Sequence, residues 1–440
     1  MRSAPSAGRG FSPLDDELQL LPGQLTPALQ ESLVRLGTWM PFAHAVKELG
    51  FFTHVSVTEA TARRETEAAG AASVAVQTEA VERLERELLP APDGPAVQLL
   101  SVDGAMVPLV HRAWAEVKTL AVGRVAEPVL EKGERVVHSR DLSYFSRLAD
   151  AETFGRLALV ETHRRGTERA GTVCAVTDGA EWEQGFIDLH RPDAVRILDF
   201  SHAAQYVAKA GQAVWGEATP AFERWLQETL HELKHGSSEA VLQTLRDMQA
   251  EVSPRDSAAA TTIQHSQNYL EKRRAHIAYA RFQALGYPIG SGSVESANKL
   301  VVEARLKGAG MHWARPHVDP MLALRNIACS DRWEEAWPLI TQRLRQHARA
   351  QHARRHLARQ AKKVSAGGLT TSPTRVEPLA PLATPPAMCS TPDGMAVTAP
   401  APSHAPVKAP YRPAPNHPWR RMPIGRARYQ PFTSDIPAKN

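Results

Sequence analysis

Hydrophobic and polar positions follow two different periods along this chain, and the change of period divides it into regions. Between residues 25 and 94 the apolar side chains recur at helical spacing, as at Leu29, Leu33 and Leu36. The pair Thr26-Pro27 before them is a typical helix start. The pattern predicts three short helices, of which the third begins near residue 56 and ends at residue 70. A polar helix then continues to residue 94, as a connector or as a dimerising helix.

The third short helix carries Arg63 and Arg64 on its open, polar face. Three short helices with a basic last helix are typical of a helix-turn-helix reader of duplex DNA. The alternative is a plain three-helix packing unit, because patterns of short helices are common. We expect residues 25–94 to be a helix-turn-helix-like DNA-binding region with its connector.

From residue 97 the pattern changes to short apolar runs, and it predicts an α/β domain over 95–215. The first three predicted strands form an antiparallel meander with a turn at Gly104, and the next two alternate with helices. Three antiparallel strands followed by such alternation are the order of an RNase H-like mixed sheet. The predicted strands are 97–103, 105–110, 116–122, 172–177 and 194–198, and the predicted helices are 142–164, a helix through 182–189, and 203–215.

The remaining regions differ in composition. Residues 216–285 are polar and helical and predict an all-helical insertion, after which the core resumes over 286–340 with the loop at 290–292. Residues 341–363 contain eight Lys or Arg and no acid, which indicates either a helix that contacts phosphates or a solvated tail. Nearly half of the 33 prolines lie in 364–440, so we expect a disordered tail there, and an irregular segment at 1–24.

Composition narrows the class of protein. The 440 residues contain no apolar run long enough to span a membrane, and the first residues resemble no secretion signal. Cys174, Cys329 and Cys389 lie far apart, which supports neither a disulfide framework nor a cysteine zinc site. We therefore expect a cytoplasmic protein. With 52 Lys and Arg, 47 Asp and Glu, and 18 His, the charge leans weakly towards a polyanionic partner.

Acidic residues follow or end several predicted elements, and three of them form a candidate metal site. Asp103 and Asp178 end strands that would be neighbours in the sheet, and Glu295 lies in the first turn of a helix that would pack across the same edge. Mg²⁺ prefers oxygen ligands, and two such ions about 3.5–4 Å apart catalyse phosphodiester cleavage in other proteins. The alternative for each acid alone is a local cap or turn residue.

Further residues accompany this predicted site. Asp199 and His202 are either ligands or a buried Asp–His pair that positions the site, and we expect the positioning role. The helix after Glu295 carries basic residues that we expect to hold DNA phosphates: Lys299, Arg305 and Lys307.

Four motifs resemble those of bacterial insertion-sequence transposases of the ISKra type, within the DDE transposases. They are Ser-Pro-Leu-Asp-Asp-Glu-Leu at 12–18, Val-Asp-Gly at 102–104, Thr-Asp-Gly-Ala-Glu-Trp at 177–182 with Leu-Asp-Phe-Ser-His at 198–202, and Tyr-Pro-Ile-Gly-Ser-Gly-Ser-Val-Glu at 287–295 running on to 307–313. The resemblance covers roughly residues 11–345. Relatives commonly carry a cysteine-rich zinc ribbon ahead of the Pro-Leu-Asp stretch, and this sequence has none there.

The resemblance implies that Asp103, Asp178 and Glu295 are the catalytic triad and that Asp199 and His202 belong to an Asp-x-x-His signature. It also implies Mg²⁺ as the cofactor, for which Mn²⁺ can substitute, and double-stranded DNA as the partner, both as terminal inverted repeats and as target. The protein would act as a homodimer or higher oligomer on DNA, away from membranes, at the bacterial nucleoid. Two other functions stay open: an inactive DNA-binding repressor derived from such an element, and a cellular RNase H-like nuclease or resolvase.

Overall fold

A five-stranded mixed sheet lies at the centre of the computed structural model, which describes residues 25–87, 89–131 and 133–367. Its strands are β1 (Val97–Pro108), β2 (Trp114–Val125), β5 (Ser139–Arg147), β6 (Thr172–Thr177) and β7 (Val195–Leu198), and β3 (Val129–Glu131) and β4 (Glu134–Val136) form a separate hairpin. The strand order is β5-β2-β1-β6-β7, in which β1 runs antiparallel to β2 and parallel to β6. β5 is antiparallel to β2, and β7 is parallel to β6. The predicted α/β class is therefore confirmed, whereas the predictions for 1–24 and 368–440 lie outside the described residues.

The predicted turn at Gly104 is wrong, because β1 runs straight through that residue. Gly104 pairs with Lys118 of β2, and a Cβ at Gly104 would lie 2.4 Å from a carboxylate oxygen of Glu116. The glycine therefore makes room for a cross-strand side chain rather than for a turn. Consequently Asp103 lies in the middle of a long strand and not at its end.

The start of the predicted helix at residue 142 is also wrong. Residues up to Arg147 belong to β5, and α4 (Ala151–Arg164) begins only after Asp150, whose carboxylate accepts a hydrogen bond from the Thr153 N–H at 2.9 Å. The apolar residues Leu142, Phe145 and Leu148 are three apart, which imitates a helical spacing.

Helices cover both faces of the sheet. Successive side chains of a strand point to opposite sides, and β1 has buried apolar side chains on both of them. On one face, Leu100 and Val102 of β1 pack with Phe154 of α4 and with Ile187 of α5 (Glu181–His190). On the other face, Leu99 packs with α6 (Phe200–Trp215), and Ala105 and Val107 pack with the helices between residues 292 and 329. Those helices are α11 (Gly292–Ala297), which contains Glu295, a π-helix (Asn298–Glu303), α12 (Ala304–Leu306) and α13 (Arg315–Cys329).

The N-terminal helices are α1 (Pro27–Trp39), α2 (Phe42–Thr53) and α3 (Glu59–Glu87). Thr26 caps α1 by accepting a hydrogen bond from the Leu29 N–H. The predicted end of the third helix at Gly70 is wrong, because α3 is 29 residues long and continues to Glu87. A Cβ at Gly70 would lie 2.2 Å from the carbonyl oxygen of Pro320, so this glycine lets α3 approach α13 closely.

The segment between α6 and α11 is helical. It consists of α7 (Pro220–His235), α8 (Ser238–Val252), α9 (Ser257–Lys272) and α10 (Tyr279–Ala284). Leu233, Leu242 and Ile263 of this insertion pack against the α6 side chains Val207 and Ala210. The last helix, α14 (Trp333–Gly367), passes without a break through two predicted boundaries, the one between 340 and 341 and the one between 363 and 364, so the predicted start of the tail at 364 is wrong. None of the helices in the described ranges has the length and hydropathy to cross a membrane.

Candidate metal centre

Asp103 projects from β1 towards the helices that follow Glu295. One carboxylate oxygen accepts a hydrogen bond from the Gly104 N–H at 2.7 Å, and the other accepts one from the side-chain amide of Asn298 at 2.9 Å. Burial raises the pKa of Asp103 to about 6, and the charges of Asp178 and Glu295 act in the same direction. A partly buried carboxylate surrounded by other acids is a group that a cation would stabilise.

Asp178 directly follows β6, on the strand next to β1. Its carboxylate accepts a hydrogen bond from the Ala180 N–H at 2.9 Å, across the turn at Gly179, where φ is +84°. Glu183, in the first turn of α5, accepts hydrogen bonds from the N–H groups of both Gly179 and Ala180 at 3.0 Å. The turn that carries Asp178 is thus fixed from the side of α5.

The sequence reasoning missed Glu183, which is buried beside Asp178. Burial, followed by a hydrogen bond to Asp178 and the negative charge of that residue, raises the pKa of Glu183 to about 9. In the absence of a cation Glu183 therefore favours its protonated form at neutral pH, and a divalent cation bound among the three carboxylates would displace that proton. The sequence does contain an indication of this role, because Glu183 is the third residue of α5, which begins at Glu181. Such an acid can bond back to the N–H groups ahead of the helix.

Asp103, Asp178 and Glu183 each offer one carboxylate oxygen, and these three oxygens lie within 4.8 Å of one another. They meet because β1 and β6 are adjacent parallel strands and α5 starts directly after β6. Carboxylate oxygens at such distances are suited to Mg²⁺ or Mn²⁺. The donor set therefore fits a hard divalent cation.

Glu295 is on the same cavity but does not belong to this trio. Its side chain is exposed, and its carboxylate accepts a hydrogen bond from the Ser291 hydroxyl at 3.3 Å. The cavity has a volume of about 160 Å³ and is lined by Val102, Asp103, Asp178, Asp199, Ser201, His202, Gln205, Ser291, Val294 and Glu295. Acids from β1, from the turn after β6 and from α11 thus face one space.

Asp199 connects two elements beside the cavity. It is buried after β7, and one carboxylate oxygen accepts a hydrogen bond from the backbone N–H of His202 at 2.8 Å, which caps α6. The other oxygen accepts one from the Ser291 N–H at 2.8 Å. The bond that we considered between Asp199 and His202 therefore involves the backbone of His202 and not its ring. The ring instead lies beside Tyr206 and Tyr269, at centroid distances of 5.5 and 5.8 Å.

The glycine loop at 290–292 is bound by this aspartate and by the residue after it. Asp199 accepts the hydrogen bond from the Ser291 N–H, and the Phe200 N–H donates to the Ile289 carbonyl at 2.9 Å. A Cβ at Gly290 would come no closer than 3.8 Å to the Asp199 carboxylate, and one at Gly292 would meet no atom within 4 Å. Neither glycine is needed for a close contact among the described residues.

The basic residues predicted for DNA contact have different environments. Arg63, Arg64 and Lys299 are exposed, and the two arginines pair with Glu67 at 2.9 Å and Glu65 at 3.1 Å on their own helix. Lys307 pairs with Glu303 at 2.7 Å.

Arg305 does not fit that prediction, because its side chain is 1% exposed. Its Nε donates to the Gly37 carbonyl at 3.0 Å, and its guanidinium lies over the rings of Phe42 and Trp313 at 4.8 and 5.1 Å. Burial lowers the pKa of Arg305 to about 10, so it is charged at neutral pH. Arg305 joins α12 to α1 and cannot reach a phosphate in this conformation.

Neither a scan against protein-family models nor a search among curated proteins finds a match to this chain. The feature of this chain that indicates a function is the group of acids around the cavity.

Proposed function

We propose that this chain is a metal-dependent DNA transposase of the DDE class, which cleaves the ends of its own element and joins the freed 3′-OH ends to target DNA. The observation that carries the proposal is the single cavity faced by Asp103, Asp178 and Glu295, which come from three separate segments. Each of these acids coincides with a position that the resemblance marks as catalytic.

The sheet supports an RNase H-like classification. Three antiparallel strands, β1, β2 and β5, are followed by β6 and β7, which extend the sheet in parallel on the other side of β1. Asp103 and Asp178 then lie on neighbouring strands. The helical insertion separates them in sequence from Glu295.

Asp103, Asp178 and Glu295 would hold Mg²⁺, or Mn²⁺ in its place. When bound, such ions activate the attacking oxygen and stabilise the leaving oxygen of a phosphodiester. Asn298 and Gly104 orient the Asp103 carboxylate through their hydrogen bonds. Glu183 holds the turn that carries Asp178 by accepting hydrogen bonds from the Gly179 and Ala180 N–H groups.

For the DNA partner we propose the N-terminal helices as a helix-turn-helix-like reader of the terminal repeats. The exposed Arg63 and Arg64 near the start of α3 support this role, and Lys299, Lys307 and the basic part of α14 would contact phosphates. Binding should therefore weaken steeply as salt rises. A homodimer or higher oligomer acting at the nucleoid in the bacterial cytoplasm belongs to the same proposal.

The test is cleavage of DNA taken from both flanks of the gene, in Mg²⁺. Metal catalysis contributes several kcal/mol of transition-state stabilisation, which corresponds to on the order of a thousand-fold in rate. Asp103→Asn and Glu295→Gln should each lose cleavage on that scale while their DNA affinity stays unchanged. The matched control is Asp247→Asn, because Asp247 is an acid of the insertion that accepts a hydrogen bond from its neighbour Gln243 on α8, at a distance from the cavity in sequence and structure.

Cleavage at the unmutated rate by either variant would contradict the transposase assignment. DNA binding without any cleavage by the unmutated chain would favour the repressor instead.

A second candidate is a metal-dependent nuclease with the same type of sheet, acting on junctions or hybrids. The observation that favours it is the trio itself, which includes Glu183 and not Glu295. Cleavage should then be faster on a four-way junction or an RNA–DNA hybrid than on flanking DNA, and Glu295→Gln should retain it.

A further inference from the structure

The helical insertion makes direct contact with the turn that carries Asp178. The phenol O–H of Tyr269, on α9, donates to the Asp178 carbonyl oxygen at 2.5 Å. Arg273, the residue directly after α9, donates from Nη2 to the Gly179 carbonyl oxygen at 2.7 Å. Two side chains of the insertion thus bind two successive carbonyls of the turn.

These carbonyls lie where the chain leaves β6 and turns into α5. The N–H groups on the α5 side of the turn, those of Gly179 and Ala180, are bound by Glu183. Tyr269 and Arg273 bind the carbonyls, so the turn is hydrogen-bonded from two independent parts of the chain. Because a buried backbone group costs free energy when it has no partner, both sets of bonds restrict how the turn can move.

The two donors also hold each other in place. The Arg273 guanidinium lies over the Tyr269 ring at 3.8 Å, and Arg273 Nη1 donates to the Tyr269 carbonyl at 3.2 Å. The Tyr269 ring stacks on Tyr206 of α6, with centroids 3.7 Å apart and planes 3° from parallel. A side chain at Gly179 would have no room, because its Cβ would lie 2.5 Å from Arg273 Nε.

We propose that Tyr269 and Arg273 are positioning residues that set the metal affinity of the candidate centre through the backbone of Asp178 and Gly179. This inference rests on the proposed metal centre and assigns the insertion a part in it. Neither side chain touches the metal or the DNA in this role. They act by limiting the positions that the Asp178 carboxylate can take, as hydrogen-bond partners behind metal ligands do in other proteins.

The test measures Mn²⁺ affinity of the full chain without DNA, by isothermal titration calorimetry. Tyr269→Phe keeps the ring stack and removes only the phenol bond, and Arg273→Gln removes the bond to Gly179. Each should weaken Mn²⁺ binding roughly 10-fold, and the double variant more, as changes to groups behind metal ligands do. Arg273→Lys keeps the charge and loses the planar stack, so its affinity should lie between those of Arg273→Gln and the unmutated chain.

The matched control is Tyr279→Phe. Tyr279 donates its phenol O–H to the Leu198 carbonyl at 2.9 Å, at the end of β7, the strand next to β6. This variant removes the same type of bond from a strand that carries no member of the trio. It should lower the thermal unfolding temperature and leave the Mn²⁺ affinity unchanged.

Unchanged Mn²⁺ affinity in both Tyr269→Phe and Arg273→Gln would overturn the inference while leaving the metal centre intact. An equal loss in Tyr279→Phe would overturn it too, because the effect would then be general destabilisation. If the unmutated chain bound no Mn²⁺, or if Asp103→Asn bound it as tightly, the proposed centre would itself be wrong and the inference with it.

Discussion

The turn after β6 and the loop before α11 both bring an acid to the same cavity, but they are held in different ways. Glu183, Tyr269 and Arg273 bind the N–H and carbonyl groups around Asp178 from two sides. Glu295, in contrast, is exposed, and the loop before it is bound by the Asp199 carboxylate at Ser291 and by the Phe200 N–H at Ile289. The turn that carries Asp178 is thus held by more hydrogen bonds than the loop that precedes Glu295.

His190, at the far end of α5, should make the fold less stable in acid. His190 ends that helix, is buried, and contacts the Thr162 hydroxyl at 3.0 Å and the Gly155 carbonyl at 2.9 Å. Burial lowers the pKa of His190 to about 4, against about 6.5 for the unfolded chain. The unfolded chain therefore binds the extra proton between these two values. Stability from this residue is complete above pH 6.5 and is lost as the pH falls towards 4, by about 3 kcal/mol.

Urea unfolding at several pH values, followed by circular dichroism, measures this dependence. His190→Gln cannot titrate in this range, so the difference in unfolding free energy between it and the unmutated chain should shrink from pH 7 to pH 4. Parallel pH curves for the two proteins would contradict the burial of a neutral histidine under α5.

The glycine loop at 290–292 is bound by Asp199 through the Ser291 N–H, so Asp199→Ala should make this loop more mobile. The substitution removes the cap of α6, worth about 1 kcal/mol, and leaves the buried Ser291 N–H without a partner, at a cost of about 1–3 kcal/mol. We expect a loss of about 2–4 kcal/mol in unfolding free energy. Mn²⁺ affinity should fall less than in Asp103→Asn, because Asp103 and Asp178 are held by other bonds and Glu295 is the one proposed ligand that follows the loosened loop.

Two measurements on Asp199→Ala separate these effects, chemical unfolding and Mn²⁺ titration. If Mn²⁺ binding were lost together with stability, the two sides of the cavity would not be independent. The control is Asp256→Ala, which removes the cap of α9 by the same chemistry without a second contact to the glycine loop.

The sequence predicts those residues of the centre whose position depends on neighbouring residues in the chain. Strands over 172–177 and 195–198 are apolar runs bounded by Asp178 and Asp199, so their ends are visible in the pattern. Glu183 is not visible in the same way, because its pairing with Asp178 depends on how α5 leaves the strand. The continuation of β1 through Gly104 was missed because a glycine after an acid also fits a turn.

Long-range packing decides what the pattern leaves open. Arg305 belongs to a basic stripe in the sequence, but Phe42 lies 263 positions before it and covers its guanidinium. No local spacing carries that contact. Gly70 likewise resembles a helix end in the sequence, but in the structure it is the point at which α3 contacts Pro320 of α13. Such residues are assigned wrongly because their partners come from remote segments.

The smallest predicted effects come from the glycines of the two segments, and they test the comparison directly. Gly179 has a φ of +84°, which costs an alanine about 1–2 kcal/mol, and a Cβ there would displace Arg273 from its bond. Gly292 has open space and begins α11, where alanine is favoured over glycine by up to about 1 kcal/mol. Gly179→Ala should therefore lower both stability and Mn²⁺ affinity. Gly292→Ala should leave the affinity unchanged and keep or slightly raise the unfolding temperature. A similar loss in both variants would mean that the loop before α11 is as tightly constrained as the turn after β6.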